Sequence, residues 1–325
     1  MKPLSRIVAV IASLLALSLA SCHRAPHTPA APSRRLVVGA SALRISLPVF
    51  VAARDGLFRA HGLDVEVRTY NTAQPMMDDV ALGHIDAGGY VAYPIVFLAS
   101  RRAARPPRVV TSLVEDRDHR LSYVLGRPGA GLHFPADARG KRIGILPTVA
   151  YRRWLIAILA TVGITPEQVT IVPVEPALQN QMLRDNGIDM LFTNDPMATA
   201  ILATNAGEII DDGPPCSQRL GDPFAFGTFV MSGLFVEQSP DLARRLAEAL
   251  SDAVARVRAD PAGARRAMVG YIRPEEQPYV DRYPPSRYLD VPEFGPTQLA
   301  AEFAHNRQLG ILTQDPSVQA WQPAR

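Results

Sequence analysis

Little in this chain is chemically reactive. Only two cysteines occur, Cys22 and Cys216, so no disulfide framework or cysteine-rich metal motif organises it. The seven histidines are scattered along the chain. Four catalytic or nucleotide signatures are missing: the Gly-x-Ser-x-Gly elbow, the P-loop, His-Glu-x-x-His and the dinucleotide glycine fingerprint. Charge of one sign is not in excess either, with 34 Lys and Arg against 31 Asp and Glu and no dense basic stripe. That balance speaks against a nucleic-acid partner. The apolar run at residues 7–19 is too short to span a bilayer comfortably.

What the chain does have is a pattern that occurs twice. Residues 83–86 read Gly-His-Ile-Asp after a helix-like stretch at 76–82, and residues 187–189 read Gly-Ile-Asp after another at 179–184. Upstream, Leu36-Val37-Val38-Gly39 leads through a loop and an apolar helix to Gly62-Leu63. Arg142-Ile143-Gly144-Ile145 leads the same way to Gly163-Ile164. Each half reads strand, helix, strand, helix, strand, and a duplicated α/β unit implies two lobes with a cleft between them. In the first half the spacing predicts a strand at 35–40, a helix at 48–58, a strand at 64–70 and an apolar helix at 90–100. Ser239-Pro240-Asp241 is a helix start, with Leu242, Leu246, Leu250 and Val254 in one row behind it. Residues 271–292, rich in Pro and Tyr, are expected to wrap the surface. The expected division is 1–21 leader, 22–35 flexible tether, 36–120 with 225–325 as the first lobe, and 121–224 as the second. The chain would cross between lobes near 113–124 and 211–228.

The leader reading rests on Lys2, Arg6, the short apolar run and Leu19-Ala20-Ser21-Cys22, which resembles the lipobox of bacterial lipoproteins. That resemblance implies cleavage before Cys22, a lipid on its thiol, and an exported protein tied to the cell membrane on its periplasmic or extracellular face. Loss of residues 1–21 would remove Lys2 and Arg6 and no acids, leaving 32 cations against 31 anions. Cys216, behind Gly213-Pro214-Pro215, reads as an incidental cysteine in a loop.

Ala53-Arg54-Asp55-Gly56-Leu57-Phe58, with Gly62-Leu63-Asp64-Val65-Glu66, is similar to the opening of solute-binding proteins of ABC importers. The nearest branch takes sulfonates, taurine, nitrate and thiamine pyrimidines. Gly83-His84-Ile85-Asp86 resembles that branch's recurrent Gly-x-x-Asp, and the segment from Asp137 to Gly144 resembles the opening of its second lobe. The resemblance covers roughly 35–320. It implies a periplasmic-binding-protein type II fold: two α/β lobes, a ligand cleft and two hinge crossings. It also implies a non-enzymatic monomer that captures a sulfonate- or taurine-like molecule for a permease and its ATPase. A thiamine-pyrimidine or other heterocyclic cargo, and a ligand sensor that signals to an envelope receptor, remain open. Thr193-Asn194-Asp195-Pro196 departs from the branch's acidic or aromatic pair.

Ligands in open α/β sheets sit beyond the carboxyl ends of strands, near helix N-termini. The candidates there are Ser41, Arg44, Ser46, Asn71, Thr72, Gly89, Tyr90, Thr148, Val149, Ala150, Asn194 and Asp195, with Asp116 at the first crossing. Arg44 either pairs with an anionic ligand or stands solvated, and Asp116 either reaches the cleft or lies in a surface turn. Tyr151 and Trp154, at helical spacing, read as core in preference to a ligand wall. No cofactor and no metal is called for.

Overall fold

The computed structural model describes residues 34–290 and 293–322. The leader, Cys22 and residues 22–33 of the expected tether lie outside these. Eleven strands follow one another along the described chain. They are β1 Leu36–Ser41, β2 Val65–Tyr70, β3 Ala87–Val91, β4 Arg108–Glu115, β5 Ser122–Gly126 and β6 Arg142–Ile145, then β7 Thr170–Pro173, β8 Met190–Asn194, β9 Glu208–Ile209, β10 Phe224–Met231 and β11 Arg287–Tyr288. They form two sheets, ordered β11-β4-β10-β3-β1-β2 and β7-β6-β8-β5-β9.

The two sheets are built alike. In the first, β1 is parallel to both β2 and β3, and β10 runs antiparallel between β3 and β4. In the second, β6 is parallel to β7 and β8, and β5 runs antiparallel between β8 and β9. In both sheets the antiparallel strand is the first one made after the chain crosses over. This is the two-lobed α/β architecture expected from the duplicated pattern.

The repeated aspartate has the same task in both lobes. Asp86 accepts the backbone N–H of Val37 at 2.8 Å and donates its own N–H to the Val37 carbonyl at 3.0 Å. Asp189 does the same to Arg142, at 2.8 Å and 2.8 Å. Each acid pins the start of a parallel strand flanked by two parallel neighbours, β1 in one sheet and β6 in the other, and satisfies a backbone donor that would otherwise be unpaired. Gly144 allows the close approach above it, because a Cβ there would stand 2.5 Å from Ile188 Cδ1.

Helices cover the sheets with apolar faces. The longest, Pro240–Ala259, buries Leu246, Leu250 and Val254 as its periodicity predicts. The helix expected at 48–58 is interrupted: it runs Leu47–Arg54, stops at Gly56 in the left-handed region (φ 69°), and resumes as the single turn Leu57–Ala60. Tyr90 belongs to β3, not to the following helix, which is Tyr93–Ser100. Cys216 is not in a loop. It is buried in the helix Pro215–Leu220, and burial pushes its thiol well above the usual range. The segment expected to wrap the surface contributes β11, which pairs with the β4 edge.

Glu115, fully buried, ties the two crossings together. Its carboxylate accepts the N–H groups of Leu121 (2.9 Å) and Ser122 (2.5 Å) and the hydroxyl of Ser122 (2.7 Å) on one crossing. On the other it accepts the N–H of Ser217 (2.8 Å). Burial raises its pKa, and these hydrogen bonds oppose the rise.

Candidate functional site

Five of the parallel strands end at one place between the sheets. The turn after β1 brings Leu43 and Ile45, and the turn after β2 brings Asn71, Thr72 and Ala73. Ala92 follows β3, Leu146 and Thr148 follow β6, and Asn194 ends β8. Ile95, Tyr151, Trp154 and Phe226 complete the lining. The cavity is about 30 Å³, space for about two waters, and beside it Arg44 and Asp195 bring the two lobes into contact at 2.9 Å. Leu43, Ile45, Asn71, Thr72, Ala73, Ala92, Ile95 and Phe226 come from elements of the first sheet, the other five from those of the second.

None of the lining residues carries a charge. Tyr151, Trp154 and Phe226 form an aromatic wall, with Trp154 5.5 Å from Tyr151 and 5.0 Å from Phe226 between ring centroids. Three buried polar atoms of lining residues have no hydrogen-bond partner: the Tyr151 hydroxyl, Trp154 Nε1 and Asn194 Oδ1. Buried polar groups are paired in the great majority of cases, so three orphans on one wall amount to an unfilled hydrogen-bonding demand. Burial, with Cys216, Glu115 and Asp195 nearby, holds the Tyr151 phenol well above its ordinary pKa, so it stays a neutral donor.

Three helices begin at this cavity. Thr72 precedes Ala73–Leu82, Ala92 precedes Tyr93–Ser100 and Thr148 precedes Val149–Ala160. Only Thr148 caps its helix with its side chain, accepting the Tyr151 N–H at 3.3 Å.

Of the sequence candidates, Asn71, Thr72, Thr148 and Asn194 line the cavity. Val149 and Ala150 stand in the first turn behind Thr148. Ser41 and Ser46 are buried and bond to each other at 3.1 Å. Gly89 and Tyr90 are elsewhere: Gly89 lies against Phe229, and the Tyr90 ring packs edge-on at 5.1 Å from Tyr288. Asp116 closes a turn at the first crossing, where it accepts the His119 N–H at 2.9 Å and meets Arg287 at 3.1 Å. Arg44 and Asp195 pair with each other, at 2.9 Å from Arg44 Nε to Asp195 Oδ2, both buried. The sequence reading passed over Leu43, Ile45, Ala73, Ala92, Ile95, Leu146 and Phe226, and took Tyr151 and Trp154 for core. Leu43 and Ile45 had a usable signal, as large apolar residues inside a loop at a strand end.

Residues 29–272 match the sequence model of the NMT1-like family. No curated protein matches the chain. Among solved structures, the alkanesulfonate-binding protein SsuA from Xanthomonas axonopodis pv. citri, bound to MOPS, is similar at 16% identity and TM-score 0.71, over 90% of this chain and 99% of that one. The periplasmic nitrate-binding protein NrtA from Synechocystis PCC 6803 is similar at 16% identity and TM-score 0.67, over 89% and 85%. A cysteine-to-serine mutant of DszB in complex with biphenyl-2-sulfinic acid also matches, at 16% identity and TM-score 0.63, over 89% and 96%. At these identities the likeness speaks for the fold.

Proposed function

The chain belongs to the NMT1-like family, and from that premise we propose that it is an extracytoplasmic solute-binding protein that delivers a small organic molecule to an ABC import permease and its ATPase. The observation that carries this reading is the trio of unpaired polar atoms on an uncharged cavity between the lobes. The lining holds no carboxylate, imidazole or thiol, which favours capture over catalysis.

The same lining argues for the class of cargo. Taurine would bring an ammonium and a sulfonate to a wall with no charge to meet either, and stripping both of water is costly. A flat, uncharged ring with both donors and acceptors, such as an aminopyrimidine, meets the aromatic wall and answers Trp154, Tyr151 and Asn194 together. A second reading has its own support. Three helix N-termini face the cavity, which suits an oxyanion such as the head of a sulfonate with an apolar body.

Thermal unfolding of the ligand-stripped protein with aminopyrimidines, aryl and alkyl sulfonates, taurine, nitrate and flavins separates these. A ligand at a hundred times its Kd adds about 2.7 kcal/mol of stability. The ring compounds are expected to raise the midpoint and taurine and nitrate to leave it unchanged. A shift with nitrate alone would overturn the cargo class.

The reading includes a lipid anchor on Cys22, supported by the lipobox-like Leu19-Ala20-Ser21-Cys22. Among the described residues no helix is long and apolar enough to cross a membrane. Radiolabelled palmitate should enter the wild type and not Cys22→Ser. Equal labelling of both would exclude this anchor.

A further inference from the structure

Arg44 and Asp195 meet across the cleft, one residue away from the lining on either side. Arg44 opens the 3-10 turn Arg44–Ser46 after β1 of the first sheet, between lining residues Leu43 and Ile45. Asp195 follows lining residue Asn194 at the end of β8 in the second sheet. Their side chains are 2% and 0% exposed. The backbone joins them as well, since the Arg44 N–H donates to the Asp195 carbonyl at 3.2 Å.

Each partner makes its side-chain hydrogen bonds without the other. Asp195 Oδ1 accepts the N–H (3.0 Å) and hydroxyl (2.6 Å) of Thr199, and Oδ2 accepts the Tyr123 hydroxyl at 3.3 Å, all from the second lobe. Arg44 donates to the Pro284 carbonyl at 3.0 Å, the Ser286 hydroxyl at 2.6 Å and the Arg120 carbonyl at 2.6 Å. Arg44 Nε lies within ion-pair distance of Asp195, yet makes no hydrogen bond. The contact between the side chains is therefore coulombic, and breaking it costs no side-chain hydrogen bond. In such a buried pair the coulombic gain is largely offset by the cost of desolvation. A small net energy is what a reversible closure requires.

We propose that Arg44 and Asp195 form an interlobe latch, which closes the cleft on the protein's own charges instead of on a charge carried by the cargo. Its purpose rests on the solute-binding reading, but its existence does not, so the test uses no ligand. Hydrogen–deuterium exchange on the purified full chain would follow residues 43–46 and 194–199, with β1 and β6 as internal references. In the wild type both latch segments are expected to be protected without cargo. In Arg44→Met and in Asp195→Asn they should exchange at least tenfold faster together, while β1 and β6 hold. Should Arg44→Met not fold, Asp195→Asn decides, because it keeps the shape and an acceptor for Thr199. Unchanged exchange at both segments would overturn the latch. Equal acceleration of β1 and β6 would overturn it too, assigning the pair to folding.

Discussion

A buried hydroxyl with no partner is a cost the unliganded protein carries. Tyr151 is such a case, 4% exposed with its oxygen unpaired. Tyr151→Phe removes the oxygen and leaves the ring. Desolvation of an unsatisfied group costs about 1–3 kcal/mol, so the unliganded variant should melt at the same temperature or higher. The cargo should bind more weakly, by roughly 2- to 10-fold for one neutral hydrogen bond. Opposite signs in calorimetric melting and in titration would mark the hydroxyl as a ligand contact, whereas a fall in both would make it structural. At this scale the sequence carried part of the site. Asn71, Thr72, Thr148 and Asn194 were legible because strand ends and helix starts are local features. The pairing of Arg44 with Asp195 was not, because it joins positions far apart in the chain. Tyr151 and Trp154 read as core and line the cavity instead, because spacing along a helix gives the inward face and not whether that face meets packed core or a cavity. Gly89 and Tyr90 were misplaced because β3 runs on to Val91, so the glycine pair is strand and not turn.

Among the elements, the helix Pro296–Gln308 carries a carboxyl at odds with its setting. Burial pushes Glu302 up to about 8, from an ordinary 4.5. As pH rises through this window the unfolded chain releases a proton that the folded chain keeps, so stability falls between the two values. Glu302→Gln holds the group neutral in both states. The variant should match the wild type at pH 4 and melt higher at pH 8, and denaturant titrations at the two pH values check it. Parallel wild-type and variant curves would refute the assignment. Most helices and strands could be read from periodicity and start signals. The break at Gly56 could not, because a glycine inside a helical pattern is either tolerated or a stop, and the left-handed backbone that decides it is set by how Leu57 and Phe58 reach the core. The two-residue strand β11 was hidden in a Pro- and Tyr-rich stretch, since its pairing is dictated by the open edge of β4.

At the level of the whole molecule, duplication made the two lobes readable, because strand order and the pinning aspartates recur. The closeness of the lobes was not readable, since it depends on contacts such as Arg44 with Asp195 and on Glu115 tying both crossings. The antiparallel strand β10 has a further consequence. It sits between β3 and β4, so the first sheet cannot be finished until the chain has passed through the second lobe and returned. The second sheet draws only on residues 122–209 and waits for nothing downstream. Non-local pairing is slow because the long loop must close before its contacts form. The middle of this chain can therefore complete its sheet before the beginning does, and the edges of β3 and β4 that face β10 stay unpaired until Phe224–Met231 arrives.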